Sequence, residues 1–144
     1  MLIRTTDSRA AVKAASETGL TIWVGYTVRP SEEDMYLGIA GKHNGETIKK
    51  AVEEVVDMGV SAFFIMHSDV KDTLDGLNLL KENTSLPIGA YAHSLEAPHE
   101  VREISASEYA GYAQQWVNIG AQIIGGCCGI TPSHIAELNN LIPN

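Results

Sequence analysis

The chain has 144 residues, 44% hydrophobic and 19% charged, an ordinary globular composition of one domain's size, where a full (βα)8 barrel usually takes about 250 residues. Its formal net charge of −8, from 18 acidic against 10 basic side chains with no basic stripe, argues against nucleic acid or an anionic membrane surface as partner. No apolar run approaches the about 20 residues of a membrane span, and MLIRTTDSRAAVK lacks the apolar stretch and cleavage site of a signal peptide.

Leu2-Ile3 reads as a strand stub. Ser8 to Thr18 reads as a helix, capped by Asp7 or Ser8 and stopped by Gly19. Leu20 to Val28 is a strand, and residues 29–45 form a long polar loop. Glu46 to Met58 puts Ile48, Ala51, Val52, Val55 and Val56 on one helical face, and Gly59 closes it. Val60 to Met66 is nearly all apolar, as a strand buried on both faces should be. Asp69 to Glu82 is a helix with Val70, Leu74, Leu77 and Leu80 inward, and Pro87 to Ala92 is the next strand. A polar loop runs to Glu103. Ser105 and Glu108 then make a capping-box signature for a helix through Val117. Ala121 to Gly125 is the last strand, and Thr131-Pro132 opens a helix reaching about Leu141.

The order is five βα units in a single domain spanning 1–144, with no internal linker. Alternation of this kind gives a parallel sheet. Either an open doubly wound sheet or part of a barrel accommodates it.

Functional groups in such folds sit just past the C-terminal ends of the strands. Those positions hold Arg4-Thr5, Thr27 to Arg29, Met66-His67-Ser68, Tyr91-Ala92-His93 and Gly126-Cys127-Cys128. Two thiols and two imidazoles at one end of one sheet suit a borderline metal such as zinc. The chain's two cysteines are adjacent, so no disulfide framework exists, and a cytoplasmic, reducing compartment is expected.

The segment IIGGCCGITPSHIAEL, residues 123–138, resembles the signature of the zinc-dependent homocysteine S-methyltransferases. In that family both cysteines of GGCC bind zinc. ASETGLTIWVGYTV is similar to the family's strand and flanking helix before the metal site. GVSAFFIMHS stands in the place of its Gly-Val-Asn-Cys segment, and PIGAYAHSLE resembles its Pro-x-x-x-Tyr-Pro-Asn-Ser-Gly-Glu stretch. The resemblance begins where the family's fourth strand would lie, which implies a half TIM barrel matching the C-terminal half.

The resemblance implies zinc as cofactor, with Cys127 and Cys128 as ligands and His67 at the position of the third. Arg4 stands where the family has a glutamate that contacts the substrate amino group. Tyr91 and His93 fall in the substrate-binding stretch, His93 as a supporting or a surface-loop residue. His43, His99 and His134 read as loop or helix-surface histidines. With His67 in place of a thiolate the zinc set is neutral rather than anionic, so metal binding should survive the replacement better than methyl transfer.

Three functions follow as expectations: a methyltransferase for a small thiol, its barrel completed by a partner; a metal-binding or scaffold half-barrel without catalysis; and a redox dithiol at Cys127-Cys128, disfavoured by the lack of Cys-x-x-Cys spacing. An exposed inner face implies a partner, either a second copy in a homodimer or a complementary N-terminal half.

Overall fold

The computed structural model describes residues 4–30, 35–39, 42–97, 100–101 and 103–141. The predicted stub Leu2-Ile3 and His99 lie outside the described residues. In chain order the elements are α1 (Thr5–Ser16), β1 (Ile22–Tyr26), β2 (Val28–Pro30), β3 (Met35–Ile39), β4 (Lys42–Thr47), α2 (Ile48–Glu53), β5 (Val60–Asp69) and α3 (Val70–Asn83). Then come β6 (Ile88–His93), β7 (Leu95–Ala97), β8 (Glu100–Val101), α4 (Ala106–Asn118), β9 (Ile123–Gly126), α5 (Pro132–Leu138) and a 3-10 turn (Asn139–Leu141).

Among the described residues the main sheet has four strands in the order β1-β5-β6-β9, and every pairing in it is parallel. It accounts for four of the five predicted βα units; the predicted first strand, Leu2-Ile3, lies outside the described residues. Alternation along the strands sorts the side chains into two faces. One face carries Val24, Tyr26, Phe63, Ile65, Ile88 and Ala90, all buried. The helices pack there: the Tyr26 hydroxyl donates to the Ala51 carbonyl of α2 at 2.9 Å, and Ile65 lies against Gly76 of α3. The other face carries Trp23, Phe64, Met66 and Tyr91, with ring centroids 5.2 Å apart for Trp23–Phe64 and 5.7 Å for Phe64–Tyr91. Trp23 at its edge is 56% exposed, an unusual state for so large an apolar side chain.

Local signals set the helix starts. Ser105 Oγ accepts from the Glu108 backbone at 3.1 Å, as the capping signature requires, and Asp69 caps α3 through the Lys71 backbone N–H at 2.9 Å. The helix expected over Glu46 to Met58 is shorter: Thr47 caps α2, which is only six residues long. Helix α1 starts at Thr5, ahead of the predicted Asp7 or Ser8 cap. Both the Thr5 backbone N–H (2.6 Å) and its hydroxyl (3.0 Å) donate to the Glu46 carboxylate at the end of β4.

Two stretches expected as polar loops contain strands. Within 29–45, β2, β3 and β4 form a three-stranded antiparallel sheet, and β7 pairs with β8 as a small hairpin. The first was concealed by its charged flanks, although Met35 and Leu37 alternate inward and are buried at 6% and 0% exposure. His43 falls in β4. His134, expected on a helix surface, is buried. Its Nε2–H donates to the Ile104 carbonyl at 2.9 Å, so Nδ1 accepts, taking the Thr131 backbone N–H at 3.2 Å. Its ring stands edge-on to Tyr109 at 5.8 Å. The histidine therefore locks the N-terminus of α5 to the loop before α4. His134→Ala should lower stability by about 1–3 kcal/mol, because the buried Ile104 carbonyl and the part-buried Thr131 N–H lose their partner; urea unfolding followed by circular dichroism measures this.

Candidate metal centre

A strand sends successive side chains to opposite faces, so with Met66 on the inner face, residue 67 would point toward the helices. The chain breaks this rule with a bulge. Met66 pairs with Tyr91 on β6, but the next pair is Asp69 with His93, so β5 carries one extra residue. His67 takes φ = 48°, the one positive φ on a non-glycine residue among the described residues. That conformation costs an L-residue about 1–2 kcal/mol and persists only where its surroundings impose it.

Ser68 imposes it. This residue is fully buried; its hydroxyl donates to the Met66 carbonyl at 3.0 Å and accepts the Val28 backbone N–H at 2.9 Å. The carbonyl just before His67 is thus tied to the first residue of β2.

The two thiols come from the turn after β9. The Cys127 N–H donates to the Ala92 carbonyl at 2.9 Å, and the Ser94 N–H donates to the Cys128 carbonyl at 3.1 Å. The turn closes through Ile130 N–H to the Cys127 carbonyl at 3.1 Å, with Gly129 at φ = 82°. Gly126 leaves no room for a side chain, since a Cβ there would run into Ile130. Cys127 is half-buried and Cys128 exposed.

These devices bring three donor atoms together. His67 Nδ1 lies 3.4 Å from Cys127 Sγ and 3.7 Å from Cys128 Sγ, and the two sulfurs are 3.7 Å apart. A tetrahedral zinc, with bonds of about 2.3 Å to sulfur and about 2.0 Å to nitrogen, spaces two sulfurs about 3.8 Å apart and a sulfur and a nitrogen about 3.5 Å apart. The three edges match that triangle, so His67, Cys127 and Cys128 form a group that could hold a metal ion. Burial pushes the Cys127 thiol up from its ordinary pKa, and the neighbouring Cys128 thiol raises it further. Burial likewise raises the Tyr91 phenol, with the Cys127 charge adding to it.

Of the other expected site residues, Tyr91 is on the inner face and donates its hydroxyl to Met66 Sδ at 2.9 Å. His93 is 2% exposed, which removes the surface-loop alternative, and its ring meets that of His67 at 4.8 Å and 87°. Arg4 is the N-cap residue of α1, and its guanidinium forms a two-pronged pair with Asp7 at 2.8 and 3.0 Å on an exposed face, which raises its pKa. Sequence reasoning missed Ser68 as the support of His67 and Met66 as the partner of Tyr91. Only their adjacency to a predicted ligand pointed to them.

A sequence model described as homocysteine S-methyltransferase matches residues 1–142. The chain belongs to this family. It is 28% identical over 128 residues to the homocysteine S-methyltransferase of Escherichia coli, covering 81% of this chain and 37% of that protein. It is 25% identical over 103 residues to the selenocysteine methyltransferase of Astragalus bisulcatus, covering 67% of this chain and 29% of that protein. Crystal structures of the homocysteine methyltransferase MmuM from Escherichia coli superpose on 98% of the chain at 26% identity, with TM-scores of 0.77 for the oxidized form and 0.76 for the metallated form. The match spans 43% of either MmuM chain, so this chain corresponds to less than half of its relatives' length and to part of a TIM barrel. Among the described residues no helix is long and apolar enough to cross a membrane.

Ser68→Ala should weaken divalent-metal binding about 10- to 100-fold, the usual effect of losing a group that orients a ligand. Competition against a chromophoric chelator reads the affinity. Retention of wild-type affinity would show that the bulge holds without the hydroxyl.

Proposed function

We propose that the chain is the C-terminal half of a zinc-dependent methyltransferase acting on a small thiol, homocysteine or a close analogue, and that a complementary half-barrel completes it. The observation that carries this reading is the tetrahedral spacing of His67 Nδ1 and the two cysteine sulfurs at the C-terminal end of the sheet. The relatives support the substrate class, since their names give acceptors that are amino acids with a sulfur or selenium nucleophile.

His67, Cys127 and Cys128 would hold the ion. A bound zinc acidifies a thiol so that it stands as thiolate at neutral pH, the nucleophile that methyl transfer requires. The chain's own residues do the rest. The backbone bonds from Cys127 and Cys128 to β6 fix the sulfurs, Ser68 fixes the imidazole, and Tyr91 and Met66 form the wall below. Because burial raises the Cys127 thiol, metal uptake displaces protons and strengthens as pH rises.

The half-open barrel supports the reading that a partner completes it. Trp23 and Phe64 lie on the face that a closed barrel would enclose, and among the described residues β1 and β9 are the two ends of the main sheet. Alone, the chain should associate with a second copy, giving a dimer in sedimentation at micromolar concentration; a stable monomer would contradict this. Mixed with an N-terminal half-barrel of the family, the zinc-loaded chain should transfer a methyl group to homocysteine. Zinc binding without transfer in that mixture would favour a metal-binding scaffold instead.

A further inference from the structure

His93 is a buried imidazole that the three-donor set does not use. On β6 the inner-facing positions run Gly89, Tyr91, His93, and the register pairs Gly89 with Ile123 and Tyr91 with Gly125 on β9. Continuing that register places His93 level with Cys127 on the same face. The ladder does continue: the Cys127 N–H donates to the Ala92 carbonyl at 2.9 Å and the Ser94 N–H to the Cys128 carbonyl at 3.1 Å. Neighbouring strands lie about 4.8 Å apart, so the side chains of His93 and Cys127 start side by side. On its other flank His93 sits against the His67 ring, at 4.8 Å between centroids. It is thus flanked by two of the three donors, in a position from which 2% of it reaches solvent.

Three protein donors leave a tetrahedral ion one position short, and zinc sites with four protein donors are closed sites. Resting on the zinc reading above, we propose that His93 is the fourth ligand, so that the metal-loaded chain holds its ion with two cysteines and two histidines. His93 lies outside the group of donor atoms that fall within 4.8 Å of one another, so joining it requires the imidazole to turn about its own side-chain bonds, while the backbone bonds between β6 and the cysteine turn keep its starting point fixed. An external thiol then gains the metal only by displacing His93. The loaded chain in its resting state has no open coordination position.

X-ray absorption on the chain loaded with zinc chloride, without added thiol, tests this directly. The expected first shell is two sulfurs with two imidazoles. In His93→Ala it should become two sulfurs, one imidazole and one light atom from water, with affinity lowered about tenfold or more, given that loss of a ligand's hydrogen-bond partner alone lowers it that far. Cobalt-loaded His93→Ala should also gain a sulfur-to-metal charge-transfer band at a lower homocysteine concentration than wild type. A purely structural role for His93 would leave the imidazole count unchanged. Since His93→Ala empties a buried site, His93→Asn is the companion variant, and the wild-type imidazole count stands without either. Zinc bound by two sulfurs and a single imidazole in the wild type overturns this proposal and leaves the zinc reading intact; failure to take up zinc at all overturns both.

Discussion

The alternation of side chains along a strand is the constraint on which the site turns. Met66 belongs to the inner face, so its successor cannot reach the cysteines of the turn after β9, two strands away, unless the strand miscounts. The extra residue at His67 is that miscount, and the strained φ of 48° is its local cost. Ser68 offsets the cost by joining the carbonyl before the strain to the backbone of β2 through a hydroxyl that is wholly buried. The antiparallel sheet β2-β3-β4 is therefore connected to the candidate metal centre, since the N–H that Ser68 accepts belongs to its first residue.

The thiols are held differently. They sit on a turn locked by backbone bonds to β6 and by a glycine whose missing side chain makes room for Ile130. One end of the site is thus fixed by the sheet ladder, which side-chain substitution barely touches, and the other by a single hydroxyl. A histidine at this second, adaptable end keeps the spacing a tetrahedral ion needs while contributing no negative charge. On the proposed reading the set is then neutral. A neutral set acidifies a bound thiol well but leaves its sulfur a weaker nucleophile, because nucleophilicity falls with basicity. The aromatic row Trp23, Phe64 and Tyr91 lies on the sheet face adjoining the centre, where a barrel's interior would be.

Much of this was legible in the sequence because it is encoded locally. The βα order, the Ser105 cap, the Thr131-Pro132 helix start and the glycine-cysteine turn each depend on a few consecutive residues. What escaped is non-local. The strands within 29–45 earn their place by burying Met35 and Leu37 against the rest of the fold, and charged flanks hide that alternation. His134 looked like a surface residue because its partner carbonyl, on Ile104, is 30 positions away. The bulge has no signature in the dipeptide His67-Ser68, since its cause is a hydrogen bond to Val28. Arg4 follows the predicted first strand in the sequence, and its pairing with Asp7 at the start of α1 depends on where that helix begins, which the sequence signals put later.

The central claim is that His67, Cys127 and Cys128 form one metal site. The most direct measurement is the metal content of protein purified without chelator, set beside a Cys127→Ser, Cys128→Ser double variant under reducing conditions. The account predicts about one zinc per chain in the wild type and none in the variant, the behaviour of a site whose thiolates supply the binding energy. Metal-free wild-type protein that stays metal-free when zinc is added would contradict it, and the cysteines would then be a structural turn with no ligand to hold.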